Sequence, residues 1–257
     1  MGDAFARRQQ LKAQLIAQLI GFFIAIFAGA VAAVSGFGIG SILTPYLATQ
    51  VDMKVAVAAV SIPHFIATAI RFWTLRQHLR RSIFIHFGVL SAIGGVFGAS
   101  LHNSATNPVL KMIFASLLIF AGISGVTGLN KKVHLGKTSG WFAGALSGVF
   151  GGMVGNQGGI RSAALLAFNL EKEQFIATAT AVGLVVDLSR MPVYLIAEKS
   201  VLAEQIPVIL VLTCGCVIGT IAGGKIFAKV PADMFRIMVS SMILLLGVVV
   251  LLSPGRD

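Results

Sequence analysis

Acidic side chains are scarce in this chain: Asp and Glu number nine among 257 residues, against twenty Lys and Arg. Charged residues of both signs make up only 11%, less than half of the roughly 25% usual for a soluble globular domain. That excludes a water-facing surface over most of the molecule. Cysteine is limited to Cys214 and Cys216. They lie two residues apart inside an apolar run, which is neither a zinc-ligand spacing nor a disulfide framework. Both read as small apolar filler. The full pattern of Gly, four residues and then Gly-Lys-Ser/Thr does not occur, so the chain lacks that motif for driving transport with a nucleotide. The few carboxylates are scattered and no metal-ligand spacing stands out. Nothing points to an enzyme, a cofactor or a metal.

What is abundant is apolar. Hydrophobic residues reach 56% and the mean hydropathy is +0.91. The fold class that follows is all-α: a polytopic membrane protein, with most of the chain facing lipid or other helices. The net charge of +11 would suit nucleic acid, but its placement does not. Arg7, Arg8 and Lys12 precede the first apolar run. Arg76, Arg80 and Arg81 share one short loop, and Lys131, Lys132 and Lys137 another. Basic clusters between apolar spans mark cytoplasmic faces. The partner they imply is a lipid bilayer, with no nucleic acid, and the location is the inner (plasma) membrane. The N-terminus imitates a signal peptide, but its apolar run continues to about residue 49, so an uncleaved first span is expected.

Apolar runs cover 14–34, 37–49, 55–75, 83–101 and 108–129, then 139–154, 158–170, 174–197, 206–227 and 233–252. The two series match. A shift of 119 residues pairs Gly29 with Gly148, Gly36 with Gly155, Gly40 with Gly159 and Arg71 with Arg190. The register then slips by six, to 125, and pairs Gly94 with Gly219, Gly98 with Gly223 and Gly122 with Gly247. The extra residues fall in EKSVLAEQ, read as a loop. The organisation expected is a tail over 1–13, a first repeat over 14–130, a basic loop over 131–138, a second repeat over 139–253 and a tail over 254–257. Duplicated helical units are the build of many secondary transporters. The runs 37–49 and 158–170 are too short to cross alone, since a crossing needs ~20 residues. Counting each broken segment once gives eight crossings and parallel repeats, and counting every piece gives ten and inverted ones. Charge favours the first and transporter precedent the second.

Each short run follows a glycine break, SGFGIGS in the first half and GNQGGIR in the second. Glycines this dense free backbone N–H groups inside a bilayer. Those groups must face protein, water or a solute. A helix starting beyond such a break aims its positive end at the gap, an arrangement suited to an anion. The candidate binding residues are therefore Ser35, Gly36, Gly38, Gly40 and Ser41 from the first break. The second contributes Gly155, Asn156, Gln157, Gly158, Gly159 and Arg161. The spaced glycines at 94, 98, 219 and 223 read instead as close helix packing. Arg71 and Arg190 join the candidates because ionisable groups inside a membrane are costly and functional by default. His64 shares a helix face with Arg71, and Asp187 lies three residues before Arg190. Two uses stay open for that last pair: a structural ion pair, or a carboxylate that holds Arg190 for a substrate oxyanion. His64 is either a carrier of a coupled proton or a helix-to-helix hydrogen-bond donor.

At these motifs the chain resembles the sulfite exporter TauE/SafE family of membrane permeases. The first copy is SGFGIGSILTPYL followed by VAVAAVS, and the second is GNQGGIRSAALLAF followed by QFIATATAV. The likeness runs from about residue 14 to 252. It implies export of a small sulfur-containing anion, such as sulfite or an organosulfonate. Asn156 and Gln157 depart from the family's glycines, and Arg161 stands where an apolar residue is expected. The reading is a secondary transporter with one site between the two repeats. Its rivals are a passive anion channel, distinguished by high conductance without counterflow, and a non-transporting scaffold, in which Arg71 and Arg190 serve only packing. Faces of small residues also suit a homodimer.

Overall fold

Long apolar segments have few options in hydrocarbon. Every backbone polar group must be satisfied within the protein, so the segments become helices. The computed structural model describes residues 2–129, 137–165, 168, 170–227 and 231–253. Among these it has eleven α-helices and no strand. The first half holds α1 (Gly2–Ser35), α2 (Ile39–Ala48), α3 (Met53–Leu75), α4 (Arg81–Ser104) and α5 (Asn107–Thr127). The second holds α6 (Lys137–Val154), α7 (Gly158–Leu165), α8 (Lys172–Ala197), α9 (Lys199–Glu204), α10 (Ile206–Phe227) and α11 (Ala232–Leu252). Residues 131–136 of the inter-repeat loop expected over 131–138 lie outside the described residues, as does the tail 254–257, and Lys137 and Thr138 of that loop instead begin α6.

Six helices (α1, α3, α4, α5, α8 and α10) are long and apolar enough to cross a membrane. The chain is a multi-pass helical membrane protein. At 1.5 Å per residue, the ten residues of α2 and the eight of α7 rise about 15 and 12 Å, half a bilayer core. Ten full crossings are therefore not built. The segment 198–205, expected as a loop, differs too: Lys199–Glu204 form the short helix α9.

The packing exchanges elements between the halves. Helix α1 lies along α10, and α6 lies along α4. In the middle α3 meets α8, and α5 meets α11. Glycines set these approaches. A Cβ on Gly94 would strike the backbone of Ala145 and Val149, and one on Gly219 would strike Ile26 and Ala30. Those partners answer to each other at the shift of 119. Gly29 against Cys216 and Gly148 against Ser91 form another reciprocal pair, as do Gly122 against Leu244 and Gly247 against Ile119. Such reciprocity is what a duplicated unit related by a two-fold axis would produce. With no Cβ in the way, the helix backbones come close enough for dispersion and weak Cα–H contacts, and between α4 and α6 Ser91 Oγ adds a hydrogen bond to Gly144 O at 2.8 Å. Gly94→Ala and Gly219→Ala should each lower the thermal unfolding temperature in detergent, by a similar amount corresponding to about 1–3 kcal/mol of overpacking. An effect at one position only would count against the reciprocal packing.

Candidate functional site

The two breaks end their helices in the same way. Gly36 follows α1 at φ 82° and Gly155 follows α6 at φ 73°. Both are left-handed positions that a side chain resists. The N–H of Gly36 donates to Ala32 O and that of Gly155 to Gly151 O, each at 3.0 Å. These are left-handed helix C-caps with a single closing bond. After each cap the chain turns and starts a short buried helix, α2 or α7.

The turns meet in the interior. Ser41 Oγ donates to Asn156 Oδ1 at 3.1 Å, joining the first break to the second. Gly40 is obliged to be glycine, because a Cβ there would sit 2.6 Å from Gly155 O. Between the breaks is a small cavity. Phe37, Gly38, Gly40, Ser41 and His64 line one side, and Gly155, Asn156, Gln157, Gly158 and Arg161 the other. Its volume for a water centre is about 10 Å³, about what one water requires. The two breaks are closed on each other here, with Ser41 bonded to Asn156 and Gly40 against Gly155. The N-terminal turns of α2 and α7 both border the cavity, so two positive helix ends converge there.

Three arginines and one carboxylate are buried around this junction: Arg71, Arg161 and Arg190 are at most 5% exposed, and Asp187 is 0% exposed. Arg71 crosses from α3 to cap the end of α1. It donates to Ala32 O, to Gly36 O at 3.1 Å and to Thr180 Oγ1 at 3.0 Å. Arg190 does the matching work for α6, donating to Gly151 O at 2.7 Å. Ala32 and Gly151 are counterparts at the shift of 119. Arg190 also has an acid: its Nε lies 3.0 Å and its Nη2 2.8 Å from Asp187 Oδ1. Asp187 Oδ2 receives His64 Nδ1 at 2.5 Å, so the carboxylate bridges α3 and α8. Arg71 has no such acid, because Thr68 stands where its half would place one.

Arg161 is different. Its Nη2 donates to Gly36 O at 3.3 Å, the carbonyl that Arg71 also uses. Among the described residues its Nε and Nη1 have no hydrogen-bond partner. Asn156 Nδ2 and both polar atoms of the Gln157 side chain are likewise buried and unpartnered. Sequence reasoning missed the room this guanidinium needs: a Cβ on Gly183 would lie 2.7 Å from Arg161 Nη1. Gly183 is the counterpart of His64 at the shift of 119, so one half places an imidazole where the other leaves a notch. The shift marks the position as different in the two halves but not which side chain fills the notch. Two other candidates point elsewhere. Ser35 Oγ is spent on its own turn, its one hydrogen within reach of Phe37 O at 2.6 Å and Val31 O at 2.9 Å. Gly159 faces Ala121 on α5.

The comparison with protein families supplies the class. The model of the sulfite exporter TauE/SafE family matches residues 21–250, nearly the whole chain. This chain belongs to the TauE/SafE family. No curated protein and no solved structure matches it significantly. The TauE/SafE assignment makes it a membrane permease for sulfur compounds. A second cavity, open and about 480 Å³ in volume, lies at the end of α3 among Phe72, Trp73, Arg76, Leu79 and Arg81. There the Arg76 guanidinium stacks 3.9 Å above the Trp73 ring. No group of three or more metal-ligating side chains occurs among the described residues.

Proposed function

We propose that the protein is a secondary transporter exporting a small sulfur oxyanion, sulfite or an organosulfonate, bound between the two glycine breaks. The observation that carries this reading is the set of unpartnered donors at the cavity: Arg161 Nε and Nη1, Asn156 Nδ2 and Gln157 Nε2. A buried polar group without a partner costs about 1–3 kcal/mol, and a charged one more. A site with several of them is poised for a ligand that supplies acceptors. Charge points the same way. Three buried arginines face one buried aspartate, a surplus of positive charge that an anion cancels.

Arg71 and Arg190 then serve the site by holding the ends of α1 and α6, and Arg161 is the guanidinium that meets the anion. Asn156 and Gln157 orient its oxygens, and the helix ends of α2 and α7 add their dipoles. Gly36, Gly38, Gly40, Gly155 and Gly158 let the backbone approach, and Ser41 holds Asn156 in place. Release requires the breaks to separate on one face at a time, with the exchanged helix pairs moving as units. A carrier of this kind exchanges labelled sulfite for unlabelled sulfite across a proteoliposome membrane. Absence of any sulfite or methanesulfonate movement under every ion gradient would refute the reading, and conductance without counterflow would identify a channel.

A further inference from the structure

The anion site shares a wall with a titratable group. His64 lines the cavity and binds Asp187, which binds Arg190. An ionised carboxylate only accepts, so the His64 Nδ1 carries a hydrogen toward Asp187 and Nε2 is the position left for a second one. The imidazole is 12% exposed, while Asp187 is fully buried. We propose that His64 is the proton-binding site of this transporter, taking up a proton when the anion binds and releasing it when the anion leaves. The proposal rests on the anion reading given above.

The electrostatics set the sign. The charged groups around His64 are Asp187 and Arg190 on α8, Arg161 on α7 and Arg71 on α3 itself. Tyr194 on α8 packs beside Arg190, its hydroxyl on Gly152 O. The other helices packed on α3 are α2, α5, α9 and α10. Helix α2 has no charged residue, and Lys111, Lys199, Glu204 and Lys225 of the rest make no pair with His64. Three guanidiniums stand against one carboxylate around the cavity, and an anion against Arg161 offsets part of that surplus. A proton and an anion that enter together leave the balance of charge at the junction unchanged, with Asp187 holding the ring. By linkage the proton in turn favours the anion. Asp187 does not change its protonation state. It fixes the ring and its tautomer.

Methanesulfonate is the informative probe, because it carries no proton of its own near neutral pH. Proteoliposomes with a luminal pH dye should report proton movement in step with methanesulfonate or sulfite movement by the wild type. The His64→Gln variant should lose the proton movement per anion moved, whatever its rate of anion counterflow. Equal proton movement per anion in variant and wild type would overturn the coupling, as would wild-type methanesulfonate movement without protons. No anion movement by the wild type would instead refute the anion site, and the coupling with it. Binding is a second readout should His64→Gln stop transport. The thermal stabilisation of the wild type by methanesulfonate should fall as pH rises through the imidazole range, and that of His64→Gln should stay level. An unchanged pH dependence in the variant overturns the proposal.

Discussion

Replacing Arg161 by Ile, the residue at the matching place in the first half, is expected to abolish most sulfite transport while leaving the protein at least as stable. Two effects separate cleanly here. In the closed state the guanidinium makes one hydrogen bond, to Gly36 O, and leaves Nε and Nη1 unpaired. Removing a buried, incompletely paired charge relieves desolvation, and an apolar replacement is often neutral or stabilising. Gly36 O keeps its bond from Arg71. Binding suffers the opposite fate. A hydrogen bond to a charged group contributes about 1.5–3 kcal/mol, so losing one weakens the anion by roughly ten- to a hundredfold. Arg71→Gln should show the reverse profile. That guanidinium is satisfied on Ala32 O, Gly36 O and Thr180, so its loss frees the end of α1 and lowers the unfolding temperature. Thermal melts and sulfite uptake on the two variants, side by side, check both halves of the expectation. Equal loss of stability in both variants would contradict the division of labour.

The second large effect is at Asp187. Asp187→Ala removes the single buried carboxylate of the junction and leaves Arg190 with carbonyl partners only. Breaking a buried pair from one side costs about 3–5 kcal/mol, because the remaining charge is stranded. A loss of that size is enough to empty the folded population of a marginally stable protein. Extraction yield and monodispersity in detergent should fall sharply. Adding Arg190→Met to Asp187→Ala should recover part of the loss, since the stranded charge is then gone. The recovery is the pairwise coupling, about 0.5–3 kcal/mol for groups in one network. It stays incomplete because Arg190 also holds Gly151 O. Strict additivity of the two substitutions would show that the pair is not a unit.

Most of the helices were legible because their causes are local, although α1 begins at Gly2, within the stretch expected as a tail over 1–13. Apolar runs longer than a bilayer core become helices, and left-handed caps ask for glycine at 36 and 155. The reciprocal packing was legible as well. The shifts of 119 and 125 pair the glycines whose Cβ positions collide with matching backbones. The division of labour among the arginines was not. Arg71, Arg161 and Arg190 look alike in sequence, and only the folded contacts tell a satisfied guanidinium from one with free N–H groups. Gly183 was invisible for a related reason: a glycine in a helix rich in small residues gives no sign of which side chain fills its notch. Ser35 misled because a hydroxyl beside a break serves its own turn as readily as a ligand. The helix over 199–204 was hidden under a loop-like composition, although KSVLAE has ordinary helix formers.

The most direct test of the central claim is the position of a bound anion. Density from the purified protein with sulfite should place the anion between the breaks, within hydrogen-bond distance of Arg161, Asn156 and Gln157. Gly40 and Gly155 should lie farther apart than in the closed arrangement. Sulfite bound only at the open groove of Trp73, Arg76 and Arg81, with the breaks still closed on each other, would contradict it.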